Sequence, residues 1–251
     1  MESSQQIKPV DISFVCWNRP QFTRWSLQSI YENTKYPHRV IVIDNGSEPT
    51  MQMQLAEMKY NGWIDQLILL DKNYGLETAK HLVMEFVDSE PYFVSTDNDI
   101  LAYKYEPQCW LERLVWLMDN HPEYAAIGCR PQILVGSGNP FEGKTEDIVD
   151  FPHIPGYNRI MRTQLTKDAG AWSDKRPSRG HEEIWISERF RGMGYKVGWA
   201  NDVRCWHCFG DEGDWGYPGM KAEEHGHNPV SALPKDDHDE IRKRVGISTY
   251  Y

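Results

Sequence analysis

Residues 92–99 read Tyr-Phe-Val-Ser-Thr-Asp-Asn-Asp, an apolar run rich in β-forming residues that ends in two carboxylates one residue apart. Such a run predicts a buried strand. Carboxylates at positions i and i+2 of a strand point to the same side, so Asp97 and Asp99 would together form a site of hard oxygen ligands. Oxygen ligands of this kind bind Mg²⁺ or Mn²⁺, which would bridge the diphosphate of a substrate. The alternative is an ordinary turn at the end of a strand, where Asp and Asn are common.

The sequence before and after this segment alternates between strand and helix patterns. Strands and helices that alternate at this pitch predict βαβ units and a mostly parallel sheet. In such sheets ligands bind outside the carboxyl ends of the strands, where Asp44 would join Asp97 and Asp99. Strands are predicted at 11–17, 39–43, 64–70 and 92–96, and helices near 20–34, 52–60, 79–87 and 111–118.

The second half of the chain is less regular. Residues 136–157 are rich in Gly and Pro, which predicts a long loop. Residues 210–227 are rich in Gly, His and acidic residues and form a candidate lid. Regular elements are predicted as a strand over Tyr157–Leu165, a helix over Glu182–Met193 that stops at Gly194, and a strand over Lys196–Ala200.

The predicted helix from Glu182 begins with two carboxylates, Glu182 and Glu183. Negative charge in a first turn is favoured by the helix dipole, which alone explains the pair. A carboxylate held ionised there could also accept a proton from an incoming hydroxyl. Successive helical residues point about 100° apart, so only one of the two would face a site. His207 follows the last predicted strand. It is a candidate ligand if the fold brings it close to Asp97 and Asp99.

Composition excludes several classes of function. The 251 residues carry 27 Lys and Arg against 37 Asp and Glu, a net charge of −10 with a pI near 5.4. This acidic balance counts against nucleic acid or an anionic membrane as a partner. No apolar run reaches the ~18 residues of a membrane span, and the first residues lack the pattern of a secretory signal. Five cysteines fit reduced thiols, so we expect a cytoplasmic location.

Two other motifs, and the absence of a third, bear on alternative functions. Gly138–Thr145 fits the phosphate-loop spacing, but such a loop needs a helix directly after it, and here the next residues are acidic and stopped by Pro152. A phosphate-loop nucleotide hydrolase is therefore kept as an alternative. Cys205–Cys208 contains C-x-x-C without a second pair at zinc spacing. No G-x-G-x-x-G follows the first strand, which disfavours a dinucleotide-binding dehydrogenase.

Six segments follow one another in the order and spacing of a known family: Phe14–Pro20, Val40–Ser47, Asn73–Lys80, Asp97–Asp99, Ala169–Trp172 and Gly180–Tyr195. Together they resemble family 2 glycosyltransferases of the GT-A fold. The resemblance covers roughly 11–207. It implies an α/β fold with a mostly parallel central sheet flanked by helices and a smaller sheet on the acceptor side.

The resemblance also implies roles for the matching residues on the donor side. A divalent ion, Mn²⁺ or Mg²⁺, would be held by Asp97, Asp99 and His207. The residues implied to bind the nucleotide-sugar donor are Asp44, Asn73, Gly75, Lys80, Asp97 and Asn98.

On the acceptor side the sequence departs from the family pattern. The family usually has Asp as the second residue of a Glu-Asp pair, where it serves as the catalytic base of inverting members. Here that residue is Glu183, which keeps the charge on a side chain one methylene longer. The base could be Glu183, Glu182 or neither, so retention stays open beside inversion.

The function that follows is metal-dependent transfer of a sugar from a nucleoside-diphosphate sugar, with UDP expected from the family, to a hydroxyl acceptor. A saccharide or glycan is the expected acceptor. A catalytically inactive carbohydrate-binding relative is the further alternative. The expected regions are 1–128 for the nucleotide sugar, 129–209 for the acceptor and catalysis, and 210–251 for the lid and C-terminal tail.

Overall fold

A computed structural model describes residues 8–131, 140–154, 156, 158–173 and 182–208. Within these residues the chain forms nine strands and six helices. The strands are β1 (Val10–Cys16), β2 (His38–Asp44), β3 (Gln66–Leu69), β4 (Tyr92–Asp97), β5 (Ile100–Ala102), β6 (Tyr124–Pro131), β7 (Ile148–Asp150), β8 (Arg159–Arg162) and β9 (Lys196–His207). The helices are α1 (Pro20–Asn33), α2 (Pro49–Tyr60), α3 (Leu76–Val83), α4 (Trp110–Asn120), α5 (Thr163–Asp168) and α6 (Glu182–Gly192).

The described strands form one mixed sheet in the order β3-β2-β1-β4-β8-β6-β9-β5, with β7 paired to β9. Strands β3, β2, β1 and β4 run parallel, as predicted for the first half. Strand β1 lies between β2 and β4, and its register places Cys16 beside Asp44 and Val15 beside Asp97. The carboxyl ends of β2 and β4 therefore reach the same edge of the sheet.

Alternating side chains of the parallel strands fill two cores, one on each face of the sheet. Phe14 and Val42 lie in the first core, whereas their chain neighbours Val15 and Ile43 lie in the second. Helices α1, α2 and α4 contribute to the first core, and α3 and α6 contribute to the second. Strands buried on both faces have nearly continuous apolar sequences, which is why these elements are evident in the sequence.

The acceptor-side strands differ from the expectation. The predicted smaller sheet is continuous with the central one, because β8 pairs with both β4 and β6. The predicted strand over Tyr157–Leu165 is too long: β8 ends at Arg162 and α5 begins at Thr163. The strand predicted over Lys196–Ala200 is too short, since β9 continues to His207.

Two further expectations concern the middle and the end of the chain. The predicted loop over 136–157 contains β7, which pairs antiparallel with β9. The candidate lid over 210–227 lies outside the described residues, and the division at residue 128 stays a prediction. The predicted stop of α6 is confirmed, since Gly194 has a φ of 89° shortly after the helix ends. No helix in the described part of the chain is long and apolar enough to cross a membrane.

Candidate active site

Strand β4 ends at Asp97, and Asn98 and Asp99 form a turn into β5. The two carboxylates are therefore not on one strand, and each has its own basic neighbours. Lys80 Nζ lies 3.0 Å from Asp97 Oδ1, and Arg19 Nη1 lies 3.1 Å from Asp99 Oδ2. The Asp97 side chain is 30% exposed and that of Asp99 is 10% exposed. Asp97 thus reaches solvent at the edge of the sheet where ligands bind in such folds.

The pairing of β5 with β9 brings His207 to Asp99. Ile100 pairs with His207, and the Cys208 N–H donates to the Asp99 carbonyl at 2.9 Å. His207 Nε2 then lies 3.7 Å from Asp99 Oδ2. Burial raises the pKa of Asp99, but the charges of His207 and Arg19 outweigh burial and lower it. The structure therefore joins two of the residues that the resemblance assigns to the metal.

Asn98 anchors the turn to the loop that follows β1. Its amide donates to Thr23 Oγ1 at 3.0 Å and to the Asn18 carbonyl at 3.5 Å. The Asn18 N–H in turn donates to Ser47 Oγ at 2.7 Å. Asn18 and Arg19 both have left-handed φ angles, 52° and 55°. Non-glycine residues adopt such angles only where surrounding contacts hold them.

Asp44 is the last residue of β2, directly before a turn, and is fully buried. Its carboxylate accepts hydrogen bonds from the Ser47 hydroxyl, from the Ser47 N–H at 3.1 Å and from Gln52 Nε2 at 3.1 Å. These contacts close the turn, and a direct contact of Asp44 with a nucleotide stays a prediction. Gly46, in the same turn, has a φ of 73°, and a Cβ there would lie 2.2 Å from the backbone carbon of Lys72.

Asn73 and Gly75 lie in the loop after β3, directly before α3. Asn45 Nδ2 donates to Asn73 Oδ1 at 2.9 Å, and the Tyr74 N–H donates to Asn45 Oδ1 at 3.0 Å. The Gly75 N–H also donates to Asn73 Oδ1, at 2.8 Å. Asn73 stays exposed and Gly75 half-buried, so both remain accessible to a ligand at this edge.

A buried charge cluster formed by Lys80, Glu182 and Arg159 lies beneath the site. Lys80 Nζ donates to Glu182 Oε1 at 2.5 Å, and Arg159 Nη2 donates to Glu182 Oε2 at 2.8 Å. Trp172 Nε1 donates to Glu182 Oε2 at 2.7 Å. The Lys80 side chain is 1% exposed and that of Glu182 is 2% exposed. Lys80 thus connects Asp97 of the donor side with Glu182 of α6, and its contact with a nucleotide stays a prediction.

Glu182 and Glu183 have opposite electrostatic environments. Burial opposes ionisation of Glu182, but the charges of Arg159 and Lys80 outweigh burial and lower its pKa to about 2. Glu183 is half-buried, and that burial raises its pKa above the ordinary value. In active sites, two neighbouring carboxyl groups with oppositely shifted pKa values commonly have different roles: one exchanges a proton, and the other stays ionised. The hydrogen bonds from Lys80, Arg159 and Trp172 hold both oxygens of Glu182, which favours Glu183 over Glu182 as the candidate base.

Gly156 is a site residue that the motifs do not identify. A Cβ on Gly156 would lie 2.8 Å from Asp97 Oδ2, 2.9 Å from Glu182 Oε1 and 3.3 Å from Lys80 Nζ. Because Gly156 has no side chain, its backbone can pack directly against Asp97, Lys80 and Glu182, which connect the donor side of the site with α6. Arg159 is likewise absent from the predicted site, because its position between Asn158 and Ile160 gives no sign in the sequence that the charge is buried.

Other sequence motifs fall partly or wholly outside the described residues. Gly180 and His181 are outside them, as is Gly138. Among the described residues 140–154, the phosphate-loop motif is followed by β7 rather than by a helix. In α6, the Trp185 ring is half-buried beneath Arg189, whose guanidinium carbon lies 4.1 Å from the ring centre.

Asp99 and His207 have the chemistry of two ligands of one divalent ion. Neighbouring ligand atoms about 2.1 Å from a six-coordinate ion lie about 3 Å apart, so the 3.7 Å between Asp99 Oδ2 and His207 Nε2 would have to shorten by a small side-chain movement for both to bind one ion. Burial and the charges of Glu182 and Asp99 raise the pKa of Asp97 against the attraction of Lys80, and a cation would relieve that repulsion. Within the described residues no three His, Cys, Asp or Glu side chains converge. Substrate oxygens and water commonly complete such sites.

The comparisons with known proteins identify the family. The sequence model of the family described as Glycosyl transferase family 2 matches residues 11–179, about two thirds of the chain. The chain belongs to glycosyl transferase family 2. Comparison by sequence with curated proteins gives no match.

Solved structures of glycosyltransferases share the fold. GalNAc-T7 with UDP, GalNAc and Mn²⁺ matches with a TM-score of 0.67 and 12% identity, over 98% of this chain and 55% of that one. S. aureus TarS 1–349 matches with a TM-score of 0.63 and 15% identity, over 79% and 60%. The mannosyltransferase PcManGT from Pyrobaculum calidifontis, with GDP-Man and Mn²⁺, matches with a TM-score of 0.63 and 18% identity, over 90% and 67%. The fold is therefore GT-A, and the chain spans little more than half the length of the GalNAc-T7 chain.

Proposed function

We propose that the protein is a metal-dependent glycosyltransferase that moves a sugar from a nucleoside-diphosphate sugar to a hydroxyl acceptor. The observation that carries this proposal is the pairing of Asp99 with His207 at the edge of the sheet where the parallel strands end. Crystal structures of GalNAc-T7 with UDP and Mn²⁺ and of PcManGT with GDP-Man and Mn²⁺ support the same donor chemistry. UDP is the expected nucleotide.

The donor side is built from three loops at this edge. Asp99 and His207 would hold the cation, with Asp97 beside them at the end of β4. A bound divalent cation would stabilise the negative charge that develops on the departing diphosphate. Asn73 and Gly75, held in place by Asn45, would lie along the nucleotide.

Glu183 would act as the base on the acceptor side. Its raised pKa gives it more basicity than an exposed carboxylate, and its half-exposed position lets it meet an acceptor hydroxyl. Glu182 cannot serve in its place, because its oxygens are held by Lys80, Arg159 and Trp172. A base that removes the acceptor proton directly supports a single displacement with inversion.

Nucleotide binding tests the proposal without knowledge of the acceptor. The melting temperature of the full chain is measured with UDP, GDP and ADP, each with Mn²⁺ and with EDTA. We expect UDP to stabilise the wild-type protein only when Mn²⁺ is present, and Asp99→Asn to abolish that shift. Equal stabilisation by UDP in EDTA contradicts the metal scheme, and a shift with ADP that Lys144→Ala removes favours the phosphate-loop alternative.

Turnover of the donor distinguishes an enzyme from an inactive relative. UDP release from UDP-sugars and GDP release from GDP-mannose are followed with Mn²⁺, first with water and then with saccharides as acceptors. We expect release that depends on Mn²⁺ and on Glu183. Binding of a saccharide without binding of any nucleotide supports the carbohydrate-binding alternative.

A further inference from the structure

In the structure, Asp99 already pairs with a positively charged side chain, through the same oxygen that lies nearest His207. Arg19 Nη1 lies 3.1 Å from Asp99 Oδ2, and His207 Nε2 lies 3.7 Å from that same oxygen. A divalent ion bound to Asp99 Oδ2 and a guanidinium in hydrogen-bond contact with it would repel each other strongly in this mostly buried position. Binding of the ion therefore requires Arg19 to leave Asp99.

The structure allows that movement without a change in the backbone. The loop that carries Arg19 is fixed by the Asn18 N–H on Ser47 and by the Asn98 amide on Thr23. The Arg19 side chain is 39% exposed, whereas that of Asp99 is only 10% exposed. A long side chain on a fixed backbone can reorient by rotation about its own bonds.

A guanidinium that leaves a carboxylate is stabilised by another anion in its place. Its planar fork of donors matches phosphate oxygens as well as carboxylate oxygens, and it does so bidentately. The anion that arrives together with the cation in the proposed reaction is the diphosphate of the donor. It would bind within reach of Arg19, because the same cation would have to hold both the diphosphate and Asp99.

We infer that Arg19 exchanges partners during donor binding, from Asp99 to the diphosphate of the nucleotide. This inference rests on the proposed function and adds a residue that couples the metal to the nucleotide. Arg19 weakens the binding of the cation alone, because it competes for Asp99, and strengthens the binding of the nucleotide in the presence of the cation.

The Arg19→Gln variant separates the two effects because they have opposite signs. Binding of Mn²⁺ alone is measured by the loss of the free-ion signal in electron paramagnetic resonance. Binding of UDP at saturating Mn²⁺ is measured by calorimetry. We expect Arg19→Gln to bind Mn²⁺ at least 5-fold more tightly and UDP at least 10-fold more weakly than the wild-type protein.

The control is Arg39→Gln, which removes a cation from another buried carboxylate. Arg39 Nε lies 2.8 Å from Asp11 Oδ1, at the opposite end of β1 from the site. We expect this variant to lose stability while both affinities stay within 2-fold of the wild-type values. Arg19→Lys, which keeps the charge but not the fork, should bind Mn²⁺ like the wild type and UDP more weakly. If Arg19→Gln does not fold, Arg19→Lys replaces it in the binding measurements.

The outcomes distinguish this inference from the proposed function. Affinities for Mn²⁺ and UDP that weaken together in Arg19→Gln indicate a purely structural role and overturn the inference. Unchanged affinities, or tighter Mn²⁺ binding with unchanged UDP binding, overturn it as well. A wild-type protein that binds no UDP in the presence of Mn²⁺ contradicts the proposed function itself.

Discussion

Replacing Glu182 by Gln removes the only carboxylate among the three charged side chains of the buried cluster. Lys80 would keep Asp97 at 3.0 Å, but the fully buried Arg159 would lose the carboxylate that it contacts. Breaking a buried ion pair by removing one partner typically costs about 3 to 5 kcal/mol, because the other charge stays buried without compensation. We therefore expect Glu182→Gln to be strongly destabilised even if the site plays no part in catalysis.

The pKa of Glu182 gives a second and more specific magnitude. Its lowering from 4.5 to about 2 corresponds to about 3 kcal/mol of stability at neutral pH. Because the pKa is lower in the folded state, this stability is present above pH 4.5 and is lost as the pH falls toward 2. The difference in unfolding free energy between wild type and Glu182→Gln should shrink from about 3 kcal/mol at pH 6 to about 2 kcal/mol at pH 3.5.

Urea unfolding followed by tryptophan fluorescence measures this difference at each pH. Glu57→Gln, which removes an exposed carboxylate on α2, is the matched control and should change stability by less than about 0.5 kcal/mol. A Glu182→Gln protein as stable as the wild type at pH 6 refutes the argument. So does a difference that grows as the solution is acidified.

Three further predictions concern neighbouring residues. Glu183→Gln should lower donor turnover by about 100-fold or more without loss of stability, and wild-type turnover should fall on acidification at a pH above 4.5, measured by nucleotide release. Near wild-type turnover removes Glu183 as the base. Gly156→Ala should cost about 1 to 3 kcal/mol in urea unfolding and reduce turnover, since its Cβ would press on Asp97 and Glu182, whereas Gly192→Ala in α6 meets no atom and should be neutral or stabilising. Equal effects of the two glycine variants contradict the close packing at Gly156.

The parallel half of the fold is predictable because its local patterns are strong. Residues 14–17 and 40–43 are apolar on both faces, and a strand buried between two helical layers requires that pattern. Pro20 at the start of α1 and Gly194 after α6 are local signals that need no tertiary context. The acidic turn after β4 follows from the same reasoning, since the strand pattern fixes where it ends.

The rest of the site depends on contacts between distant parts of the chain. His207 reaches Asp99 only because β5 pairs with the far end of β9, and the mixed polar sequence of residues 201–207 gives no clear strand pattern. The partners of Lys80 and Arg159 are equally invisible in the sequence, because a buried charge is recognisable only once its counter-charge is placed beside it.

The difference between the two glutamates also depends on tertiary structure. Adjacent residues in a helix face different directions, so the sequence shows that only one of Glu182 and Glu183 can enter the site but not which one. The burial of Glu182 among Lys80, Arg159 and Trp172 is the difference on which the proposed role of Glu183 rests.

The most direct test of the account is the position of Mn²⁺ in crystals grown with Mn²⁺ and UDP. Anomalous scattering at the manganese edge locates the ion independently of the rest of the structure. The account predicts a single strong peak within about 2.3 Å of both a carboxylate oxygen of Asp99 and a ring nitrogen of His207, in contact with the diphosphate. A well-ordered nucleotide with no peak between those two side chains would contradict it.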